Sequence, residues 1–90
     1  MATTSPIVFQ KNENEKTWEA EFVSSGPVIV EIERTDGSPL SISANIPGMN
    51  PVILYVIHSQ DAIFRLDVPS GISVSIRSWS EVKSAKMFTE

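Results

Sequence analysis

The chain has 90 residues, no cysteine and a formal net charge of −4. This length fits a single domain spanning residues 1–90, and the lack of cysteine excludes a disulfide scaffold. A nucleic-acid partner is not expected, because a phosphate backbone selects clustered Lys and Arg. The longest apolar run, residues 52–57, is far shorter than the ~20 residues of a membrane-spanning helix, so no membrane partner is expected.

The first six residues lack the basic and apolar regions of a secretory signal peptide. Together with the initial Met1 and the absence of cysteine, this predicts a complete gene product that is made in the cytoplasm and is not secreted by a signal peptide.

Apolar and polar residues alternate along most of the chain, most regularly between Gly71 and Trp79. Such alternation is typical of strands with one buried and one solvated face. Turn residues separate the runs, most strongly at Asp36-Gly37, where the positive φ of a tight hairpin is expected. The predicted strands cover residues 7–10, 17–23, 28–34, 40–46, 52–58, 61–68, 71–79 and 81–88, with a polar loop over 11–15. The last segment is either an edge strand or a short helix.

Eight short strands at this spacing predict an all-β fold, a single antiparallel β-sandwich of jelly-roll or immunoglobulin-like type. The even-numbered apolar residues are predicted to form its core: Trp18, Phe22, Val30, Ile32, Ile42, Phe64, Leu66, Val74 and Ile76. Hairpins between consecutive strands would place Trp18 opposite Ile32, Ile32 opposite Ile42, and Phe64 opposite Val74. A slip of one residue would bring polar side chains into the core.

No catalytic or metal-binding constellation is evident. His58 is the only histidine, and Ser59 and Asp61 lie in the same short turn, where a catalytic triad does not usually form. One histidine without cysteine excludes the common structural zinc sites. Glu19 would face Glu31 in the first hairpin, a repulsion that solvent, a neighbouring Lys or Arg, or less favourably calcium would relieve. We therefore expect no enzyme, no cofactor and no metal; a small hydrolase or isomerase is the least favoured alternative.

Residues 52–57 are apolar at every position. If Val52, Leu54 and Val56 fill the core, the other three residues form a second apolar face. Ile29 interrupts the polar face of its own strand, and Trp79 follows the polar face of 71–79. The candidate partner interface is therefore Ile29, Ile53, Tyr55, Ile57 and Trp79. Either this surface contacts a protein partner, or the strand lies centrally under the terminal segments and Trp79 covers the edge of the core.

The order of Phe9, the segment 18–22 (Trp-Glu-Ala-Glu-Phe), the segment 28–34 (Val-Ile-Val-Glu-Ile-Glu-Arg) and the late Ile76-Arg77-Ser78 resembles small proteins of tailed bacteriophages, notably those infecting gut Bacteroides. The resemblance covers residues 9–80. Some of those proteins are auxiliary or decoration proteins of the capsid. The resemblance implies a structural role on the virion surface, with capsid subunits or further copies of the chain as partners and without catalysis. The alternative is a carbohydrate-binding or adhesion module that uses Trp79 and Tyr55.

Overall fold

The structure is a computed structural model that describes residues 3–89. Within them lie nine strands: β1 (Thr3–Pro6), β2 (Gln10–Asn12), β3 (Thr17–Val23), β4 (Val28–Arg34), β5 (Leu40–Asn45), β6 (Val52–Ile57), β7 (Asp61–Leu66), β8 (Ser73–Ser78) and β9 (Val82–Thr89). One sheet has the order β1-β9-β4-β7 and the other the order β2-β3-β8-β5-β6, with every neighbouring pair antiparallel. The predicted all-β sandwich is confirmed.

The strand order is that of a jelly roll. When β2 is set aside, eight strands remain. If these eight are renumbered 1 to 8 in chain order, their order is 1-8-3-6 in the first sheet and 2-7-4-5 in the second. This is the double-sheet winding of two Greek keys. An immunoglobulin-like sandwich would instead pair its first two strands within one sheet. The strand β2 is an addition at the edge, where it forms a hairpin with β3.

Two predicted segments need correction. Residues 7–9 are not a strand, because the chain there crosses from one sheet to the other. Ile7 is buried on the way, and its amide donates to the Ala85 carbonyl at 2.9 Å. The expected polar loop begins later than predicted, since residues 11 and 12 complete β2. The last segment is neither an edge strand nor a helix, because β9 lies between β1 and β4.

The three predicted hairpins are wrong. Trp18 lies opposite Ser78, and Ile32 lies opposite Ala62 and Ala85. The turns at 24–27, 35–39 and 69–71 carry the chain from one sheet to the other instead of closing a hairpin. Alternation determines which face of a strand is buried, but any antiparallel partner with the same alternation satisfies it. The pattern therefore could not identify the partners.

The glycine of the Asp36-Gly37 turn serves a different purpose from the predicted one. Positive φ angles occur at Gly26, Gly48 and Gly71, and Gly37 is not among them. A Cβ atom at position 37 would lie 2.6 Å from the carbonyl oxygen of His58. Glycine is needed here because the loop after β6 passes directly over the turn.

The predicted orientation of the core residues is largely confirmed. The even-numbered side chains of β4, β5 and β8 fill the space between the sheets, and Val30, Ile32, Ile42 and Val74 are fully buried. Leu66 and Ile76 are also buried, whereas Phe22 and Phe64 are half-buried against this cluster. Trp18 is half-buried at the end of its strand, where the Lys11 ammonium lies 5.4 Å from its ring centroid.

A fully buried arginine joins three connections at one end of the sandwich. The Arg34 guanidinium donates hydrogen bonds to the Ser38 carbonyl, to the Ser59 carbonyl and, at 3.3 Å, to the Ser78 hydroxyl. Burial lowers the pKa of Arg34, while the nearby Asp36 carboxylate raises it. Arg34 lies on the inward parity of its strand, but alternation alone did not indicate a buried charge there.

Candidate functional site

The residues of the predicted interface do not form one surface. Ile29 lies on the outer face of the four-stranded sheet, opposite Arg65 on β7 and Phe88 on β9. Ile53 and Trp79 both line a concavity on the outer face of the five-stranded sheet. Because these faces point away from each other across the sandwich, a single flat partner cannot contact both. Ile29 is therefore separated from the rest of the candidate interface.

Residues 52–57 form an edge strand. β6 pairs only with β5, and its other side has no neighbouring strand within residues 3–89. The side chains of residues 52–56 are between 37% and 64% exposed. The interpretation that this strand lies centrally under the terminal segments is therefore wrong, since β1 and β9 belong to the other sheet.

A β-bulge in β6 exchanges the inner and outer side chains of its second half, relative to the regular alternation of a strand. Ile42 lies opposite Tyr55, but the next residue, Ser43, lies opposite Ile53, so Leu54 is an extra residue. Directly opposed residues in an antiparallel pair share a face, and one inserted residue exchanges the faces beyond it. The prediction that Tyr55 faces outward is consequently wrong.

The inner side of β6 carries Val52, Tyr55 and Ile57, and the outer side carries Ile53 and Val56. This assignment follows from the partners on β5, whose even-numbered residues fill the core. The predicted orientations of Val52 and Ile53 are therefore correct. Val56 was predicted to face inward but faces outward, and Ile57 was predicted to face outward but faces inward.

Tyr55 closes the open side of the sandwich between β6 and β7. Its ring centroid lies 5.7 Å from that of Phe64 in a tilted arrangement. Its hydroxyl donates to the Arg65 carbonyl at 3.1 Å. Tyr55 thus contributes to the fold as well as to the exposed surface, and Ile57 beside it packs against the core.

Among the four sheet edges of the described chain, only β6 lacks the usual protection. β1 is four residues long and ends in Pro6, and β2 is three residues long and contains Lys11. β7 carries the charged residues Asp61 and Arg65. Short length, proline and charge all discourage pairing with a foreign strand. β6 has six apolar residues and no charge, so it is the edge where another strand is most readily added.

The outer face of the five-stranded sheet forms a polar trough. Two concavities of about 400 and 490 Å³ lie side by side and share Ser75 and Arg77. Asn45 donates to the Ser75 hydroxyl at 2.7 Å, and that hydroxyl donates to Glu21 at 3.3 Å. Trp79, 45% exposed, stands at one end with the Arg77 guanidinium 5.9 Å from its ring centroid.

Glu19 lies at the other end of the trough. It accepts hydrogen bonds from the Thr17 hydroxyl at 2.8 Å and the Asn12 amide at 3.1 Å, and Arg77 lies 3.4 Å away. The Thr17 bond is the largest influence lowering the pKa of Glu19; partial burial opposes it, and the Asn12 bond and the Arg77 charge assist.

The expected contact between Glu19 and Glu31 does not form, because β3 and β4 belong to different sheets. Glu31 instead has Lys86 on β9 at 3.8 Å, while Glu19 has Arg77 on β8. Each carboxylate therefore has a cation on a neighbouring strand, the ion pairing that the sequence favoured over calcium. Residues 3–89 contain no group of three or more side chains suited to hold a metal ion. The same residues include no helix long and apolar enough to cross a membrane.

Over residues 3–89 the fold is a jelly-roll β-sandwich with one unprotected apolar edge, β6. No family model matches the chain, and no curated protein or solved structure is significantly similar to it.

Proposed function

We propose that this protein is a non-enzymatic structural protein, an auxiliary protein of a bacteriophage capsid that docks through the β6 edge. The observation that carries the proposal is the exposed, uncharged strand Val52–Ile57 at the edge of the five-stranded sheet. A strand of this kind offers free backbone donors and acceptors together with apolar side chains on both faces. These are the features through which proteins add a strand from a partner.

Two further considerations support the capsid assignment. Double-sheet jelly rolls recur among viral capsid proteins, as they also do among lectins. The order of motifs in residues 9–80 resembles that of small tailed-phage proteins, some of which decorate capsids, and the proposal gives this chain the same role. In this proposal the chain is made in the bacterial cytoplasm and then binds capsid subunits, further copies of itself, or both.

The assignment is tested on purified particles of the phage that encodes the chain. Mass spectrometry of washed particles is expected to detect the protein, and purified protein is expected to rebind particles that lack it. Val56→Lys adds a charge to the edge without removing a core side chain, and it should weaken rebinding by tenfold or more. The matched control is Ile63→Lys, which adds the same charge to an edge-strand residue that is 69% exposed on β7.

Each outcome has a defined meaning. Absence of the protein from particles, and failure to rebind, would contradict the capsid assignment. Equal rebinding of the parent and Val56→Lys would show that β6 is not the docking edge.

The trough favours a second candidate function, a carbohydrate-binding module. An exposed indole beside hydroxyl, amide and guanidinium groups suits a sugar, which stacks on an aromatic face and exchanges several hydrogen bonds. Trp79 and Asn45 would contribute, whereas Tyr55 would not, because it faces the other side of the sheet. A glycan array tests this function: Trp79→Ala should abolish binding that Val56→Lys retains, and an array without binding would exclude the glycans it displays.

A further inference from the structure

We propose that β6 pairs with β6 of a second copy of this chain, antiparallel about a twofold axis between Leu54 and Tyr55. The two five-stranded sheets would then form one continuous ten-stranded sheet. The inference rests on the proposed function, because it names the partner that occupies the docking edge. It commits to a second copy, and the structure supports that occupant in three ways.

The first support is the match of faces. With the axis between Leu54 and Tyr55, Ile53 lies opposite Val56 of the second copy, and Val52 lies opposite Ile57. Ile53 and Val56 both belong to the outer side, while the other two belong to the inner side. Opposed residues in an antiparallel pair must share a face, so this register satisfies these two flanking pairs at once, while the bulged Leu54 lies opposite Tyr55 at the axis.

The bulge is the reason for this match. In a regular strand, residues 53 and 56 would lie on opposite faces, and no symmetric register could oppose them. The extra residue Leu54 brings both to the outer side. Moving the axis onto Tyr55 would oppose Ile53 with Ile57, an outer residue with an inner one. The bulge therefore selects one kind of symmetric register and disfavours the adjacent one.

The second support is the area available. From their exposed fractions, residues 52–56 carry on the order of 450 Å² of accessible surface in each copy, or about 900 Å² in a symmetric pair, close to the lower limit of roughly 1,200 Å² for stable interfaces. Met49, 63% exposed in the turn before β6, extends the same surface. Because this area lies below that limit even if all of it is buried, the expected dimer is weak and reversible and forms only as the protein concentration rises.

The third support is the absence of charge. No residue of β6 is ionisable except Tyr55, so the strand has no charge pattern that would select an unlike partner. An isologous pair needs only self-complementarity, and a twofold contact closes after two copies.

The experiment uses the lack of cysteine in the parent chain. The double variant Ile53→Cys/Val56→Cys is expected to form a covalent dimer on mild oxidation, because each thiol faces its partner in the second copy. A disulfide within one chain is disfavoured, since residues three apart in a strand lie roughly 10 Å apart and a disulfide spans less than about 7 Å between Cα atoms. The register control, Ile53→Cys/Ile57→Cys, should cross-link at least tenfold more slowly.

Sedimentation over a concentration series gives the second measurement. The parent should pass from monomer to dimer, twice its 9.9 kDa, as its concentration rises through the micromolar range. Val56→Lys should weaken dimerisation at least tenfold, while Ile63→Lys should leave it unchanged. A parent that stays monomeric at 500 μM, a mass that keeps growing beyond the dimer, or equal cross-linking of the two cysteine pairs would overturn the proposal.

The results separate this proposal from the capsid assignment. If particle rebinding depends on Val56 but the parent stays monomeric, β6 docks on a capsid subunit; the assignment then stands and the self-pairing is overturned. If the dimer forms in the expected register but the protein does not bind particles, the self-pairing stands and the assignment fails.

Discussion

Replacement of Arg34 by methionine tests whether the buried guanidinium holds one end of the sandwich together. Arg34 is 0% exposed and donates to the carbonyl groups of Ser38, Pro39 and Ser59 and to the Ser78 hydroxyl. Methionine retains much of the apolar stem but leaves the Ser38 and Ser59 carbonyls without their donor, whereas the Pro39 carbonyl keeps the Trp79 amide at 3.0 Å. At about 1 kcal/mol for each of these two half-buried acceptors, we expect a loss of about 2 kcal/mol of unfolding free energy.

Removal of the buried charge partly offsets this loss of unfolding free energy. The guanidinium is desolvated, and its Nε has no hydrogen-bond partner, so removing it also relieves a cost. In a domain of this size, 1 kcal/mol changes Tm by roughly 4–8 °C, so Arg34→Met should melt up to roughly 8–16 °C below the parent, less whatever the relieved desolvation returns. Arg34→Lys, which retains the charge but fewer donors, should fall between them. Thermal unfolding followed by circular dichroism measures both. A Tm of Arg34→Met within 3 °C of the parent would refute the reasoning.

The remaining predictions concern the core, the trough and metal dependence. Ile32→Ala should cost about 2–5 kcal/mol in urea unfolding, because Ile32 is fully buried between the sheets, and an unchanged midpoint would contradict this. The lowered pKa of Glu19 means that its carboxylate stabilises the fold above the ordinary value of 4.5, a contribution lost as the pH falls through the depressed folded pKa. Glu19→Gln should therefore lower Tm modestly at pH 7 and converge on the parent in acid, whereas a constant difference would argue against the ionised form. Millimolar calcium should leave Tm unchanged, because Glu19 and Glu31 each have a cation; a rise reversed by chelator would show otherwise.

The inward and outward faces of most strands were predictable from sequence because they depend on local alternation. The faces of β4, β5 and β8 follow directly from residues such as Ile32, Ile42 and Val74, whatever strands lie beside them. Burial of Arg34 follows the same parity. A charged residue at that position is, however, equally typical of the solvent-exposed end of a strand.

The strand partners were not predictable, because pairing in a jelly roll is decided over long sequence separations. Trp18 on β3 meets Ser78 on β8, sixty residues away. The turns at 24–27 and 69–71 have the residues of hairpin turns, but their residues also suit a crossover between sheets. Among the observed hairpins, β5 and β6 are joined by residues 46–51, whose composition indicates the end of a strand but not which strand lies beside it.

In the candidate site, neither the neighbouring strand of β6 nor the faces of all its side chains could be predicted from the sequence. A run of six apolar residues predicts either a central strand or a docking edge, and the two differ only in what lies on its far side. The sequence contains nothing that decides between them, because the deciding fact is the position of β6 at the end of its sheet. The bulge at Leu54 is equally invisible in an all-apolar run, where no polar residue marks the change of face. Yet that bulge determines which side chains an added strand would meet. The orientation predicted from sequence is therefore correct for Ile53, which precedes the bulge, and wrong for Tyr55, which follows it.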